Sequence, residues 1–429
     1  MVGFRAFSKF CGHSRRRCCS TLATLSIALD ASLIANYEDA MMNKLIFVFV
    51  IVAAITANCE VSSSGVTSTA PAGEIRFPTG TAPGSVEIAD FNGDGKFDIV
   101  VANEQSHDVT ILLGDGKGKF TPTKGSPFPA GHLPNDIAIG DFNRDAKLDL
   151  AVANHEEKHL TVLLNDGNGG FTPAPNSPVA VEVRPHVHGV ATGDLNGDGN
   201  LDLVTDSWGD DQVAILFGDG KGGFGTPGTF VKVGKRPYQR HRVADVNGDG
   251  KADIITTNTE GNNVTVLLSD GRGGFKQRAG SPFPCGDSPF NFAVGDVNGD
   301  GKVDLAVVDS PSSMAEGRGK DGLAVLLGNG NGGFAVLAGS PFATGKTPNR
   351  VAMGDVNGDG VHDIAVSSPD DNNITLFLMN SRGTVASSST IAVGGKPKGL
   401  AIRDLNGDGK ADMVVTNNGD DAVTVMLSK

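Results

Sequence analysis

The sequence predicts an all-β protein, a seven-bladed β-propeller of four-stranded blades, and three observations carry that prediction. An acidic motif recurs at Asp90, Asp141, Asp194, Asp245, Asp296, Asp355 and Asp404, at spacings of 51, 53, 51, 51, 59 and 49 residues. Each copy lies among short apolar, β-branched runs bounded by glycine turns, and no segment between them has helical period. Glycine is abundant, 59 of 429 residues, as a chain that turns often between short strands requires.

Four strands can be placed in every unit. An alternating stretch such as "DIAIGD" or "RVAMGD" precedes the motif, and a run such as "LDLAVAN" or "ADIITTN" follows it. A third strand, "HLTVLLNDG" or "NVTVLLSDG", leads through a glycine turn into a fourth that ends near "SPF". The one long interval holds an insertion, "SPSSMAEGRGKDG" (310–322). Seven radial sheets bury their faces against each other and keep their edges short. The ends of the chain fit a closed ring. "GEIRFPTG" (73–80) matches the fourth strands, with Phe77 in the place of Phe128 and Phe283, whereas "AVTVMLSK" at the C-terminus is a third strand lacking a fourth. The N-terminal strand is therefore expected to complete the last blade, and the propeller is assigned to 74–429.

The first 73 residues read differently. "MMNKLIFVFVIVAAITANC" has the layout of a secretory signal peptide (41–58): Lys44, an apolar run from Leu45 to Ala57, then small residues. The run is short for a membrane span, so none is expected in the mature form. Residues 1–40 read as an over-extended start or a processed leader. Residues 59–73, with "VSSSGVTSTAPAG", read as a flexible tether. Cys59 stands where a bacterial lipoprotein is lipidated, but Asn58 occupies the place of that family's small residue; cleavage after Ala57 is the expectation, a lipid anchor the alternative. A secreted, periplasmic or cell-surface location follows, with an extracellular partner.

The formal net charge of −13 is spread along the chain, and no basic stripe exists beyond "SRRR" (14–17), which argues against nucleic acid. Past Cys59 only Cys285 remains, so no disulfide framework can hold the domain. Another device must.

The motif supplies that device. Each loop reads Asp-x-Asn-x-Asp-x-x-x-Asp, with side-chain oxygens at positions 1, 3, 5 and 9 and a main-chain carbonyl expected from position 7. The ligand sets are Asp90, Asn92, Asp94 and Asp98; Asp141, Asn143, Asp145 and Asp149; Asp194, Asn196, Asp198 and Asp202; Asp245, Asn247, Asp249 and Asp253; Asp296, Asn298, Asp300 and Asp304; Asp355, Asn357, Asp359 and Asp363; and Asp404, Asn406, Asp408 and Asp412. Oxygen donors crowded into nine residues suit Ca²⁺, up to seven ions, and glycines at positions 4 and 6 permit the tight turn. These are not EF-hands, since position 12 is Val or Thr and the flanks are strands. The competing reading is a set of Asp/Asn-Gly turns without metal; the acid at position 9, for which a bare turn has no use, argues against it. Seven Ca²⁺ ions would also offset the net charge. The copy "DFNRDAKLDL" keeps every ligand but replaces both glycines, with Arg144 and Ala146, and is expected to work more weakly. Glycine-rich segments such as "GDGKGKF" and "NDGNGGF" lack the Lys-Ser/Thr ending and helix of a phosphate loop and are expected to be hairpin turns.

These motifs resemble the FG-GAP, or VCBS, repeat family, whose blades also form the propellers of integrin α-chains. The resemblance covers roughly 74–429 and implies a secreted or surface-exposed propeller binding Ca²⁺ between the first two strands of each blade, with partners on the opposite face. Nothing resembles the other integrin domains. A monomeric recognition or adhesion module for protein or glycan is the function implied.

On that opposite face, residues six before each motif (Gly84, Asn135, His188, Gln239, Phe290, Asn349, Lys398) and thirteen after its start (Asn103, Asn154, Ser207, Asn258, Asp309, Ser368, Asn417) are expected to ring the channel mouth. Blades three and four break this polar pattern with "RPHVHGV", "TDSWGDD" and "RPYQRHR". His188, Trp208, Tyr238, Arg240 and His241 are the candidate contacts, since aromatics with Arg are usual at recognition sites. One Trp and two Tyr limit sugar-stacking sites to one or two. The alternative function is a polysaccharide hydrolase or lyase, which would recruit mouth residues such as Asp206, Asp309 and His188. No Ser or Cys occupies a nucleophile elbow, and Cys285 reads as an inert thiol.

Overall fold

A computed structural model describes residues 74–226, 228–311 and 319–429. The leader, signal sequence and tether assigned to 1–73 lie outside the described residues, as does most of the insertion in the fifth unit.

Seven antiparallel sheets follow one another along the chain. In the first, Pro83–Ala89 lies innermost, followed outwards by Asp98–Asn103, Asp108–Gly114 and Phe120–Pro122. The innermost strands of neighbouring blades pack side by side, and Pro397–Arg403 of the seventh returns against Pro83–Ala89 of the first, which closes the ring. The outermost strand is less regular than its sequence implies. In the first, second and fourth blades it breaks into two short pieces, such as Phe120–Pro122 and Phe128–Pro129, both pairing with the third strand.

The second strand of every blade is the structural spine. All seven, from Asp98–Asn103 to Asp412–Asn417, are buried along their whole length. Their Val, Ile, Leu and Ala side chains alternate between the two faces and pack into the gaps on either side. Between the first two blades, Val100, Val109 and Ile111 meet Leu150, Val152 and Leu163. Each such side chain contributes about 1.5–3 kcal/mol by leaving water.

The closing strand is where the sequence places it. Glu74–Pro78 pairs antiparallel with Ala422–Met426, with Glu74 opposite Met426 and Phe77 opposite Val423. Phe77 also meets the Phe120 ring edge-on at 5.5 Å, tying the last blade to the first.

The ring axis is crossed by charged side chains. Arg240, from the fourth blade, donates through Nε to Asp136 Oδ1 of the second at 3.1 Å and through Nη2 to Ser85 Oγ of the first at 3.4 Å, and it pairs with Glu87. Arg350, from the sixth, donates to the Asn135 carbonyl at 3.0 Å and lies 3.5 Å from Asp136. Arg240, Arg350 and Asp136 are all buried. Burial alone would raise the Asp136 carboxyl, but Arg240, Arg350 and Arg242 hold it below the usual range. Burial likewise works against the Arg240 charge, and Asp136 and Glu87 outweigh it. Arg240 is thus an axial cross-brace and not the exposed contact its sequence neighbourhood suggested. Among the described residues, no helix is long and apolar enough to cross a membrane.

Candidate functional site

The acidic loops all lie on one face, between the outer end of the innermost strand and the start of the second. Ala89 pairs with Asp98 at that end, and Pro83 with Asn103 at the other. The residue at position 2 anchors each loop. Phe91, Phe142, Leu195, Val246, Val297, Val356 and Leu405 are all buried.

Above the anchor the main chain wraps around the first aspartate. Asp90 Oδ1 accepts from Gly93 N–H (2.8 Å) and Oδ2 from Gly95 N–H (2.8 Å), while Asn92 Oδ1 accepts from Asp94 N–H (3.0 Å). Gly95 has φ +80°, a left-handed conformation that costs glycine nothing. Lys96 pairs with Asp94 at 3.2 Å, and Lys147, Lys251 and Lys302 repeat this pairing in their own loops. Such exposed pairs are worth under about 1 kcal/mol and yield readily to a divalent ion.

Position 9 has a role that the sequence did not disclose. Asp98 Oδ2 accepts from Phe91 N–H and Oδ1 from Gly114 N–H, both at 2.8 Å, so one carboxylate clamps the loop to the third strand. The same pair of bonds recurs at Asp149, Asp202, Asp253, Asp304, Asp363 and Asp412. A turn therefore does have a use for this acid, and its recurrence alone does not demand a metal. The electrostatics are a separate matter. Burial pushes Asp149, Asp202, Asp304 and Asp363 up to about 6, against the lowering effect of their main-chain bonds, and the other aspartates of each loop push the same way. A cation among these carboxylates would relieve that repulsion. The donors are all hard oxygens, so the residues fit Ca²⁺.

The loop at 141–149 keeps its frame except for one bond: the position-4 N–H, which donates to the first aspartate in the other six loops, does not do so at Arg144. Asp141 Oδ2 accepts from Ala146 N–H at 2.8 Å and Asn143 Oδ1 from Asp145 N–H at 3.0 Å, as in the other copies. Arg144 and Ala146 have φ of +62° and +64°, so both residues adopt the glycine conformation at a cost. Arg144 offsets part of it by donating to the Gly199 carbonyl of the next blade at 3.2 Å. Ala146→Gly is expected to raise stability by about 1 kcal/mol, and Gly250→Ala in the fourth loop to lower it by a similar amount; denaturant midpoints check both. The sixth loop also holds: Val361 is buried, and His362 receives the Asp296 N–H on Nδ1 at 3.3 Å.

The opposite mouth is less open than the sequence implied. All seven residues of the second ring, Asn103, Asn154, Ser207, Asn258, Asp309, Ser368 and Asn417, are buried. Asn103, Asn258 and Asn417 donate to Thr hydroxyls of the third strand, at 2.8, 2.9 and 2.7 Å, instead of facing a partner. Burial and the nearby Asp287 push Asp309 up to about 8. Burial also pushes the Cys285 thiol well up, as befits an unreactive thiol.

Blades three and four gather a cluster there. His188 packs against Tyr238 with ring centroids 4.2 Å apart and planes tilted by 48°, and it meets Trp208 at 5.7 Å; Trp208 and Tyr238 are half-buried, and the Arg236 guanidinium lies 4.2 Å over the indole. Asp206 fixes His188 completely. Its Oδ1 accepts the N–H of His188 (3.0 Å) and of Gly189 (3.1 Å), and its Oδ2 lies 2.7 Å from His188 Nδ1. Although burial would raise it, Asp206 is held well below the usual carboxylate range by His188 and His241. Gly189 is needed where it stands, since a Cβ would fall 1.4 Å from the Gln239 carbonyl oxygen of the next blade. His241 is buried, bonded to Thr256 Oγ1 at 3.1 Å and 3.6 Å from Asp206, so it supports the cluster from below and is not itself a surface contact. Two members were not singled out from sequence, His155 and His186, whose rings lie 5.0 and 4.6 Å from His188. The His-x-His spacing of 186 and 188 was a usable signal, but His155 comes from another blade.

Fold and loops together define a repeat propeller in which every blade carries an Asp-x-Asn-x-Asp turn between its two inner strands. The chain belongs to the FG-GAP-like repeat family, whose model matches residues 90–152, 141–205, 245–307 and 362–415. Among curated proteins it is similar to cartilage acidic protein 1 of Xenopus tropicalis, 24% identical over 276 residues, 56% of this chain and 41% of that protein. The chain thus spans less than half the length of that relative. Solved structures share the fold. A functionally unknown protein from Desulfotomaculum acetoxidans DSM 771 matches with a TM-score of 0.54 at 12% identity, over 74% of this chain and 89% of that one. Streptogramin B lyase matches with a TM-score of 0.51 at 13% identity, over 83% and 97%.

Proposed function

We propose that the chain is a secreted or surface-attached, calcium-stabilised propeller that recognises a protein or glycan through the mouth of blades three and four. The observation that carries this reading is the meeting of Trp208, Tyr238 and Arg236 around His188, on the face away from the acidic loops. Half-buried aromatics packed around an imidazole that a buried carboxylate fixes offer large contact area at little entropic cost. The likeness to cartilage acidic protein 1 supports an extracellular setting. A polysaccharide-cleaving reading has weaker support, because Asp206 lies fully buried between His188 and His241.

Trp208 is the chain's one tryptophan, so its fluorescence reports this mouth alone. Titration with extracellular matrix proteins and glycans is expected to shift that emission for the true partner. Tyr238→Ala should weaken binding by roughly 30-fold or more, as the loss of an interface anchor does. A partner that calorimetry shows to be bound equally well by Tyr238→Ala and Trp208→Ala would place recognition elsewhere on the propeller.

A further inference from the structure

We infer that His155, His186 and His188 form a site for a borderline divalent cation of the Zn²⁺ class, separate from the acidic loops and on the opposite face. The three imidazoles offer ring nitrogens that all lie within 4.8 Å of one another. The Nε2 atoms of His186 and His188 are 3.1 Å apart. Two nitrogens bound to one tetrahedral Zn²⁺ at its usual bond length lie about 3.3 Å apart, so this pair already has the required spacing and His155 closes the triangle by a small ring movement. Nitrogen donors suit Zn²⁺, Cu²⁺ or Ni²⁺ and not Ca²⁺, which takes oxygen.

The surroundings are those of a built site. Asp206 receives the Nδ1–H of His188 at 2.7 Å, which fixes the tautomer and leaves the Nε2 lone pair directed at the other two rings. A buried carboxylate behind a ligating imidazole is the usual means of aiming it and raising its basicity. His155 is set beside the pair by the main chain, through a parallel bridge to Val187, the residue between the two histidines. His155 and His186 are half-buried, which leaves a path from solvent. With three protein ligands, the fourth position would be open to water or to an oxygen or nitrogen of a bound partner. The inference does not depend on the recognition reading, since it concerns the metal alone.

Two imidazole nitrogens at 3.1 Å share either a metal or a proton, and metal titration separates the two. The untagged full chain, stripped of metal and then saturated with Ca²⁺, is titrated with Zn²⁺ against a competing chelator, with Co²⁺ as the spectroscopic probe. The expected result is one Zn²⁺ per chain that Ca²⁺ does not displace, and a tetrahedral Co²⁺ spectrum. His186→Gln should abolish both, while the metal-free variant keeps a single cooperative thermal transition that shows it still folds. Asp206→Asn should weaken affinity 10–100-fold with the stoichiometry still one, the signature of a residue that positions a ligand. No bound Zn²⁺, or equal binding by His186→Gln, would overturn the site and leave a shared proton between two histidines.

Discussion

Chelation of calcium is expected to lower the unfolding temperature of this chain by roughly 10 °C or more, and Mg²⁺ is not expected to restore it. An ion that binds only the folded state at a hundred times its dissociation constant adds about 2.7 kcal/mol per site, and several such sites act at once. For a domain this large, each kcal/mol moves the midpoint by about 2 °C. Mg²⁺ resists losing its water shell and demands regular octahedral geometry, which suits these crowded loops poorly. Metal counting alongside the thermal scans is expected to approach seven ions; six would mean that Arg144 and Ala146 have disabled the second loop. No bound metal and no shift would reduce the loops to turns held by their position-9 clamps.

Asp136→Ala is expected to cost about 3–5 kcal/mol at neutral pH, the usual consequence of removing one partner from a buried ionic cluster. Asp136 faces the guanidinium groups of Arg240 and Arg350; without it Arg240 keeps Glu87 as its ion-pair partner, and Arg350 keeps the Asn135 carbonyl but no carboxylate within ion-pair distance among the described residues. The paired replacement Asp136→Leu with Arg240→Met should recover part of the loss, because both buried charges leave together. The sign with pH follows from the lowered carboxyl. Its contribution is complete above the ordinary carboxylate range, near 4, and is lost as pH falls through the lower folded value. The gap between the natural protein and Asp136→Ala should therefore narrow below about pH 4. Denaturant midpoints at neutral and acidic pH measure it, and equal stabilities at pH 7 would show that the cross-brace contributes nothing.

The two clusters show what a sequence discloses of such a fold. The blades were legible because each is a local pattern repeated seven times, and the closing strand was legible because Phe77 repeats the environment of Phe128 and Phe283. The acidic loops were equally legible as tight turns between the two inner strands, since nine consecutive residues form each of them. The clamp at position 9 was not, because its partner lies on the third strand and donates only a main-chain N–H, which has no residue signature. The axial braces were hidden for a different reason. Arg240 and Asp136 are 104 residues apart, and each is an exception within its own blade, so no periodicity links them. Arg240 and His241 attracted attention as polar residues beside Tyr238, yet strand alternation sends successive side chains to opposite faces, and both are buried.

The pairing of Glu74 with Met426 brings the two ends of the propeller to the rim of a single blade, beside each other and far from the axis. The ring is thus fastened at its circumference, by main-chain pairing between the first and last described strands. The same arrangement makes the rim a clasp. The segment synthesised first among the described residues waits for the last, and any cut that removes Ala422–Met426 leaves the inner strands of that blade with a bare edge, a place for a second chain to add itself.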